Sequence, residues 1–177
     1  FNRVLVFLNP DTIGTPTTAD AVLGQPNLTS GDPDYDSNNA DGVLEGFCFV
    51  RGLAVDASNR LWVVDEFNYR VVRFDMPTTS SSLPSKVFGQ ADLDDQAAGC
   101  NTAPSGNNGA NQFGLPLGVA VDAAGTVYVT DLSNNRVQRF AADAANGANA
   151  EESYDNLNQP HDVAVDGDGN VYIANTL

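Results

Sequence analysis

His161 is the only histidine in the 177 residues. Serine–histidine–aspartate chemistry needs an imidazole to take the hydroxyl proton, so in this chain it could use His161 alone. No Gly-x-Ser-x-Gly elbow accompanies it, and a polar side chain lining a channel mouth is the reading set against catalysis. The run DGDGN from Asp166 to Asn170 spaces oxygen ligands as the opening of a calcium loop does. The twelfth position, where such a loop carries a bidentate Glu, is Leu177, so a plain β-turn is the competing reading. Cys48 and Cys100 stand in no C-x-x-C and beside no His, which argues against a metal cluster or an activated thiolate. Paired, they would form a disulfide; otherwise they are two separate thiols. Gly24 to Asn27 and Gly89 to Asp92 read GQPN and GQAD. Neither leads into a helix, so they read as strand-end turns, not phosphate cradles.

The elements that must position these residues come from an internal repeat. Gly52 to Phe74 reads GLAVDASNRLWVVDEFNYRVVRF, and Gly118 to Phe140 reads GVAVDAAGTVYVTDLSNNRVQRF. A third copy starts at Asp162, DVAVDGDGNVYIANTL, and its remainder is FNRVLVF, Phe1 to Phe7. Joining Leu177 to Phe1 aligns this copy with the others without a gap, so the pattern is circular. Val119 and Val121, then Val127 and Val129, alternate with smaller or polar residues, which is strand periodicity. The segments starting at Asp56, Asp122 and Asp166 are turn signals between two strands. A third strand follows at Arg136 to Phe140, and a fourth at Val22 to Gln25 and Val87 to Gln90. After Phe140 an Ala/Asn-rich run leaves Tyr154 as the candidate anchor of a fourth strand. Each unit is then a four-stranded antiparallel meander, strands a to d, and such sheets repeated radially make a β-propeller.

The expected fold is therefore all-β, a propeller with three blades per chain. Blade one covers about 52–90 and blade two about 118–156. A split blade joins 162–177 to 1–25. Propellers need roughly four to eight blades, so closure predicts a six-bladed ring built by two chains as a homodimer. The alternative is a longer polypeptide with near-identical halves. The chain opens inside a strand motif, without a signal peptide, so its natural start is expected to lie elsewhere.

The motif resembles the NHL-repeat family of propellers. The resemblance rests on GVAVD, on the G-x-VYV-x-D run, and on Asn134, Asn135, Arg136 and Val137. Blade one keeps Asn68, Tyr69, Arg70 and Val71, and the split blade keeps Asn2, Arg3 and Val4. The split blade departs at Asp162, where the others have Gly52 and Gly118, and at Asn175, where they have Asp65 and Asp131. The resemblance implies an interaction module. NHL propellers that bind RNA use a basic face, which this chain lacks. Some six-bladed relatives look like metal-dependent lyases or lactonases, which makes a channel enzyme the alternative; no recognisable ligand set stands at the aligned positions.

Arg3, Arg70 and Arg136 are equivalent, as are Asp56, Asp122 and Asp166. Such periodic charge reads as structural ion pairs or turn caps before it reads as a site. Eight basic against twenty-three acidic residues give a net charge of −15. That argues against nucleic acid and against an anionic membrane, since phosphate binding needs clustered Lys and Arg. No apolar run is long enough to span a membrane. The balance suits an extracellular or periplasmic setting better than a cytoplasmic one.

Gly52 and Gly118 lie 66 residues apart, Gly118 and Asp162 only 44. The extra length falls between strand d and the next strand a, in segments 26–51 and 91–117, which hold Cys48 and Cys100. A disulfide there would tie neighbouring blades and contribute roughly 4 kcal/mol in the chain-entropy model. In an up-down meander these segments and the b-to-c turns share one face, and loops on a rigid scaffold are where binding usually sits. That face carries residues 65–67, 132–134 and 175–177, with Arg51, Leu117 and His161 near the axis. The candidate binding residues are Arg51, Asp65, Phe67, Asp131, Asn134, His161 and Asn175. The partner would be a protein or small molecule. No cofactor is implied; a calcium or other divalent ion in the channel is the alternative.

Overall fold

The computed structural model describes residues 2–8, 18–33, 46–77, 79–80, 82–93, 100 and 108–176. Its twelve described strands form two four-stranded and two two-stranded antiparallel sheets. Blade one orders β3 (Val50–Val55), β4 (Arg60–Asp65), β5 (Arg70–Asp75) and β6 (Lys86–Phe88) as a meander. Blade two does the same with β7 (Pro116–Val121), β8 (Val127–Asp131), β9 (Arg136–Phe140) and β10 (Glu152–Tyr154). The N-terminal pair is β1 (Val4–Val6) with β2 (Ala21–Leu23), and the C-terminal pair is β11 (Pro160–Val165) with β12 (Val171–Asn175). The chain is thus an all-β partial propeller: two whole blades between strands c and d of one unit and strands a and b of another.

Inner strand a starts earlier than the repeat suggests. It opens at Val50, Pro116 and Pro160, and each pairing with strand b shifts register once, between Val50 and Leu53 and at the equivalent places. A proline at the first strand residue costs no ladder bond that the shift has not already broken. In the Ala/Asn-rich run after Phe140, Tyr154 anchors a real fourth strand opposite Val137.

The sheets pack face to face, so the middle strands are buried on both sides. β8 is buried at every position. Between the two whole blades, Trp62 stacks on Phe88 with ring centres 5.5 Å apart, and Phe88 stacks on Phe140 at 4.4 Å. Val64, Val71, Phe113, Val127 and Val129 complete that core. A second core joins β1 and β2 to blade one through Val4, Leu23, Phe47, Val63, Val72 and Phe74. A third joins blade two to β11 and β12 through Ala120, Tyr128, Val137 and Val163. β3, by contrast, alternates between half-buried and exposed positions, because no described strand covers its outer face.

Cys48 and Cys100 form a disulfide, with Cα atoms 5.5 Å apart. It ties the segment entering blade one to the segment entering blade two, as expected from their positions. Residues 34–45, 94–99 and 101–107 of the two insertions lie outside the described residues, as do Phe1 and Leu177.

Gly24 and Gly89 close the d strands at φ of +79° and +95°. A Cβ at Gly89 would fall 2.4 Å from the Phe113 ring and 2.5 Å from the Tyr69 carbonyl oxygen. Gly89→Ala is therefore expected to cost roughly 2–4 kcal/mol, left-handed strain added to overpacking. Gly169→Ala, at φ +84° with nothing within 4 Å, carries the strain alone, about 1–2 kcal/mol. Urea unfolding of the two variants measures the difference.

Candidate functional site

Strand b ends in a carboxylate that the fold consumes. Asp65 is fully buried. It accepts from the Cys48 amide at 2.7 Å, from Asn68 at 2.9 Å and from the Arg70 Nε at 2.8 Å. Arg70 is also fully buried and donates to the Gly46 carbonyl. Asp131 repeats this with the Gly114 and Leu115 amides, Asn134 and Arg136. Asp65, Asp131 and Asn134, expected on the binding face, are instead bound up in holding the b-to-c turn to strand c and to the segment before strand a. Asn175 does part of the same work, accepting from the Asn158 amide at 2.7 Å. Burial pushes the Asp65 carboxyl up from its usual range, against the pull of Arg70, Asn68 and the Cys48 amide.

The second set of aspartates caps turns and pairs with none of these equivalent arginines. Asp56 accepts from the Ser58 and Arg60 amides, the Arg60 Nε and the Trp62 indole. Asp122 accepts from the Ala124 and Thr126 amides. Asp166 accepts from the Asp168 and Asn170 amides, the Asn170 side chain and the Tyr172 hydroxyl. The Asn170 side chain, its amide and the Tyr172 hydroxyl hold Asp166 down, from 3.8 to about 2. The DGDGN run is thus a hydrogen-bonded β-turn whose first carboxylate is already satisfied. Among the described residues no three His, Cys, Asp or Glu side chains gather as metal ligands. Arg3 donates to the carbonyls of Leu28 and Ser30.

One cavity of about 510 Å³ opens near the axis on the face of the b-to-c turns. It is lined by Arg51, Leu117 and His161 from the entrances of three successive a strands, by Glu66 and Leu132 from two b-to-c turns, and by Leu115 and Asp162. Strand a brings these together because the backbones nearly touch there. A Cβ at Gly52 would lie 2.7 Å from the Leu117 carbonyl oxygen, and one at Gly118 2.5 Å from the Asp162 Oδ1. Glu66 is buried and accepts from the Arg51 Nε at 2.5 Å. Arg51 also lies 4.8 Å over the Phe49 ring, which packs on Phe67 at 5.5 Å. Arg51 and His161 thus share the cleft, and Phe67 reaches it only through Phe49. Leu115 and Asp162 were not among the expected lining. Glu66 and Leu132 were visible only as members of turns, because their types differ from unit to unit.

Residues 113–140 and 157–176 match the family model described as NHL repeat. These two segments are NHL repeats. No curated protein matches the chain in sequence. In fold, the chain is similar to a luciferin-regenerating enzyme, with TM-score 0.48, 15% identity and coverage of 74% of this chain and 38% of that one. It is also similar to a chain of a nidogen/laminin complex, with TM-score 0.47, 19% identity and coverage of 73% and 42%. A third likeness is to regucalcin, a calcium-binding protein from Agrobacterium tumefaciens, with TM-score 0.45, 14% identity and coverage of 69% and 35%. The chain spans about two fifths of the length of these structures. At these identities the likeness concerns the fold alone.

Removing the Asp65 carboxylate would strand a buried guanidinium. Asp65→Ala is expected to destabilise the protein by about 3–5 kcal/mol, and Asp131→Ala by less, because Arg136 is partly exposed. Chemical denaturation of both variants tests this order. The lowered pKa of Asp166 sets a pH dependence. A depressed carboxylate contributes stability that is full above its unfolded value and is lost as pH falls from about 4 through about 2. Asp166→Asn should therefore flatten the fall in stability across that interval and leave its slope above pH 5 unchanged, as read by urea midpoints at each pH.

Proposed function

We propose that this chain is a non-catalytic binding scaffold that takes its partner at the axial cleft and the loops around it. The observation that carries this reading is the lining of the cleft. Three leucines, Leu115, Leu117 and Leu132, stand beside Arg51, Glu66, His161 and Asp162. Apolar walls with a few convergent polar groups suit recognition of an apolar side chain flanked by polar ones. Arg51 is held by Glu66, so its guanidinium is oriented as a donor at the rim. His161 is exposed, and among the described residues no hydroxyl or thiol lines the cavity with it. The segments carrying the two insertions enter at this face, through Phe49 and Leu115. The net charge of −15 favours partners that are not themselves strongly acidic. The disulfide suits an extracellular or periplasmic setting.

A peptide-display library panned against the protein provides the test. Enriched peptides should share an apolar anchor, and Leu117→Asp should weaken their binding at least about tenfold while leaving the unfolding midpoint close to that of the parent, a change of the size set by burying a charge against an apolar side chain. Peptides that bind Leu117→Asp as well as the parent would place recognition elsewhere. Ester or lactone turnover that disappears in His161→Ala would replace the scaffold reading with the enzyme one.

A further inference from the structure

Asn27 does its structural work with one atom. Its Oδ1 accepts from the Thr29 amide at 3.0 Å and the Thr29 hydroxyl at 2.8 Å. It also accepts from the Ser30 amide at 2.9 Å and the Ser30 hydroxyl at 3.1 Å. This is an Asx-turn, in which a side-chain oxygen stands in for a backbone carbonyl. Among the described residues nothing bonds to the Asn27 Nδ2. The repeat shows that the turn has no need of a nitrogen there. Gly24 and Gln25 align with Gly89 and Gln90, which puts Asp92 at the position of Asn27. An aspartate supplies the same acceptor oxygen and no N–H.

The backbone around the turn is pinned. The Arg3 Nη1 donates to the carbonyls of Leu28 at 2.6 Å and Ser30 at 2.8 Å. The Gln25 side chain donates to the Asp32 carbonyl at 2.6 Å. Asn27 and Thr29 are both exposed on this fixed turn. Asn27, Leu28 and Thr29 also make the Asn-x-Thr triplet that accepts N-linked sugar, with no proline in the middle. It is the only Asn-x-Ser or Asn-x-Thr triplet with a non-proline middle residue in the 177 residues. The Cys48–Cys100 disulfide suits the oxidising compartments through which glycosylated chains pass.

We propose that Asn27 is an N-glycosylation site, taking an oligosaccharide from a lipid-linked glycosyl diphosphate. The new bond joins Nδ2 to the anomeric carbon of the sugar. The bond from that carbon to the diphosphate oxygen breaks, and the diphosphate leaves with the electron pair. Nδ2 gives one proton to a base of the transferase and keeps the other. The turn survives the change, because Oδ1 retains all four of its bonds. The glycan leaves from the end of strand d, where the first insertion begins. Strand d is the outermost of its unit, so the sugar stands at the rim and the axial cleft stays clear.

Intact-mass measurement of the chain isolated from its native source should exceed 18.6 kDa by a glycan. Peptide-N-glycosidase should remove the excess and leave an aspartate in place of Asn27. An unmodified chain overturns the proposal. Variants secreted from a cell line that performs N-glycosylation separate the acceptor from the turn. Asn27→Asp and Thr29→Ala should each lose the glycan, and Thr29→Ser should keep it. A glycan that persists on either of the first two overturns the proposal. Made in bacteria without glycosylation machinery, Asn27→Asp should keep the unfolding midpoint of the parent. A fall in that midpoint would show that the fold uses Nδ2, and would overturn the proposal as well.

Discussion

The structure depends on a carboxylate buried at the end of strand b. In each whole blade, Asp65 or Asp131 gathers backbone amides from the segment before strand a, an asparagine from the b-to-c turn and an arginine from strand c. Four pieces of chain, one of which differs in length from unit to unit, are held to one geometry by a single side chain. The arginine extends the hold to carbonyls such as Gly46, Gly109 and Gln112. An isolated buried charge is costly, and this one persists because partners surround it. The insertions can then vary in length without moving the strands, since what fixes each blade lies inside it.

Much of the fold was legible in the sequence because its signals are local and repeated. The alternating valines, the Asp-led turns and the Gly at the end of strand d each act over a few residues, and the repeats agree on them. The three aspartates of the a-to-b turns, read from the sequence as structural, accept from amides of their own turns. The bonds of Asp65 and Asp131 were not legible, because their partners include amides some seventeen positions upstream. The left-handed backbone at Asn2, Tyr69 and Asn135 was equally hidden: asparagine favours that region, but tyrosine does not announce it. The site was only half legible. Arg51, Leu117 and His161 could be placed near the axis from strand direction, but Leu115 and Asp162 line the cleft because strands a approach so closely, which only the assembled blades reveal.

The same close approach bears on the departure at Asp162. Gly52 and Gly118 have no side chain, and the next backbone fills the space that a Cβ would take. At the third unit the position holds an aspartate, whose carboxylate accepts from the amide of Val163. An added side chain there meets no clash within the chain. It narrows the axis instead and carries charge into the cleft, so the third unit changes the lining of the channel.

Position by position, the repeat separates architecture from recognition. The residues that bond to backbone recur: Asp at the a-to-b turn, Arg at the start of strand c, a left-handed residue just before it. The residues that face the axis do not. The position holding Arg51 in blade one holds Leu117 in blade two and His161 in the third unit. The position holding Glu66 holds Leu132 and then Thr176. A scaffold whose units share most of the bonds that shape them presents Arg51, Leu117 and His161 around one opening, with Glu66 and Leu132 beside them. Substitutions at those positions touch little of the blade's own bonding, since the side chains point into the cleft and not into a sheet-to-sheet core. Chemical identity can therefore change around the opening while the surrounding backbone stays fixed, which is the arrangement a binding surface needs if its specificity is to be set independently of its stability.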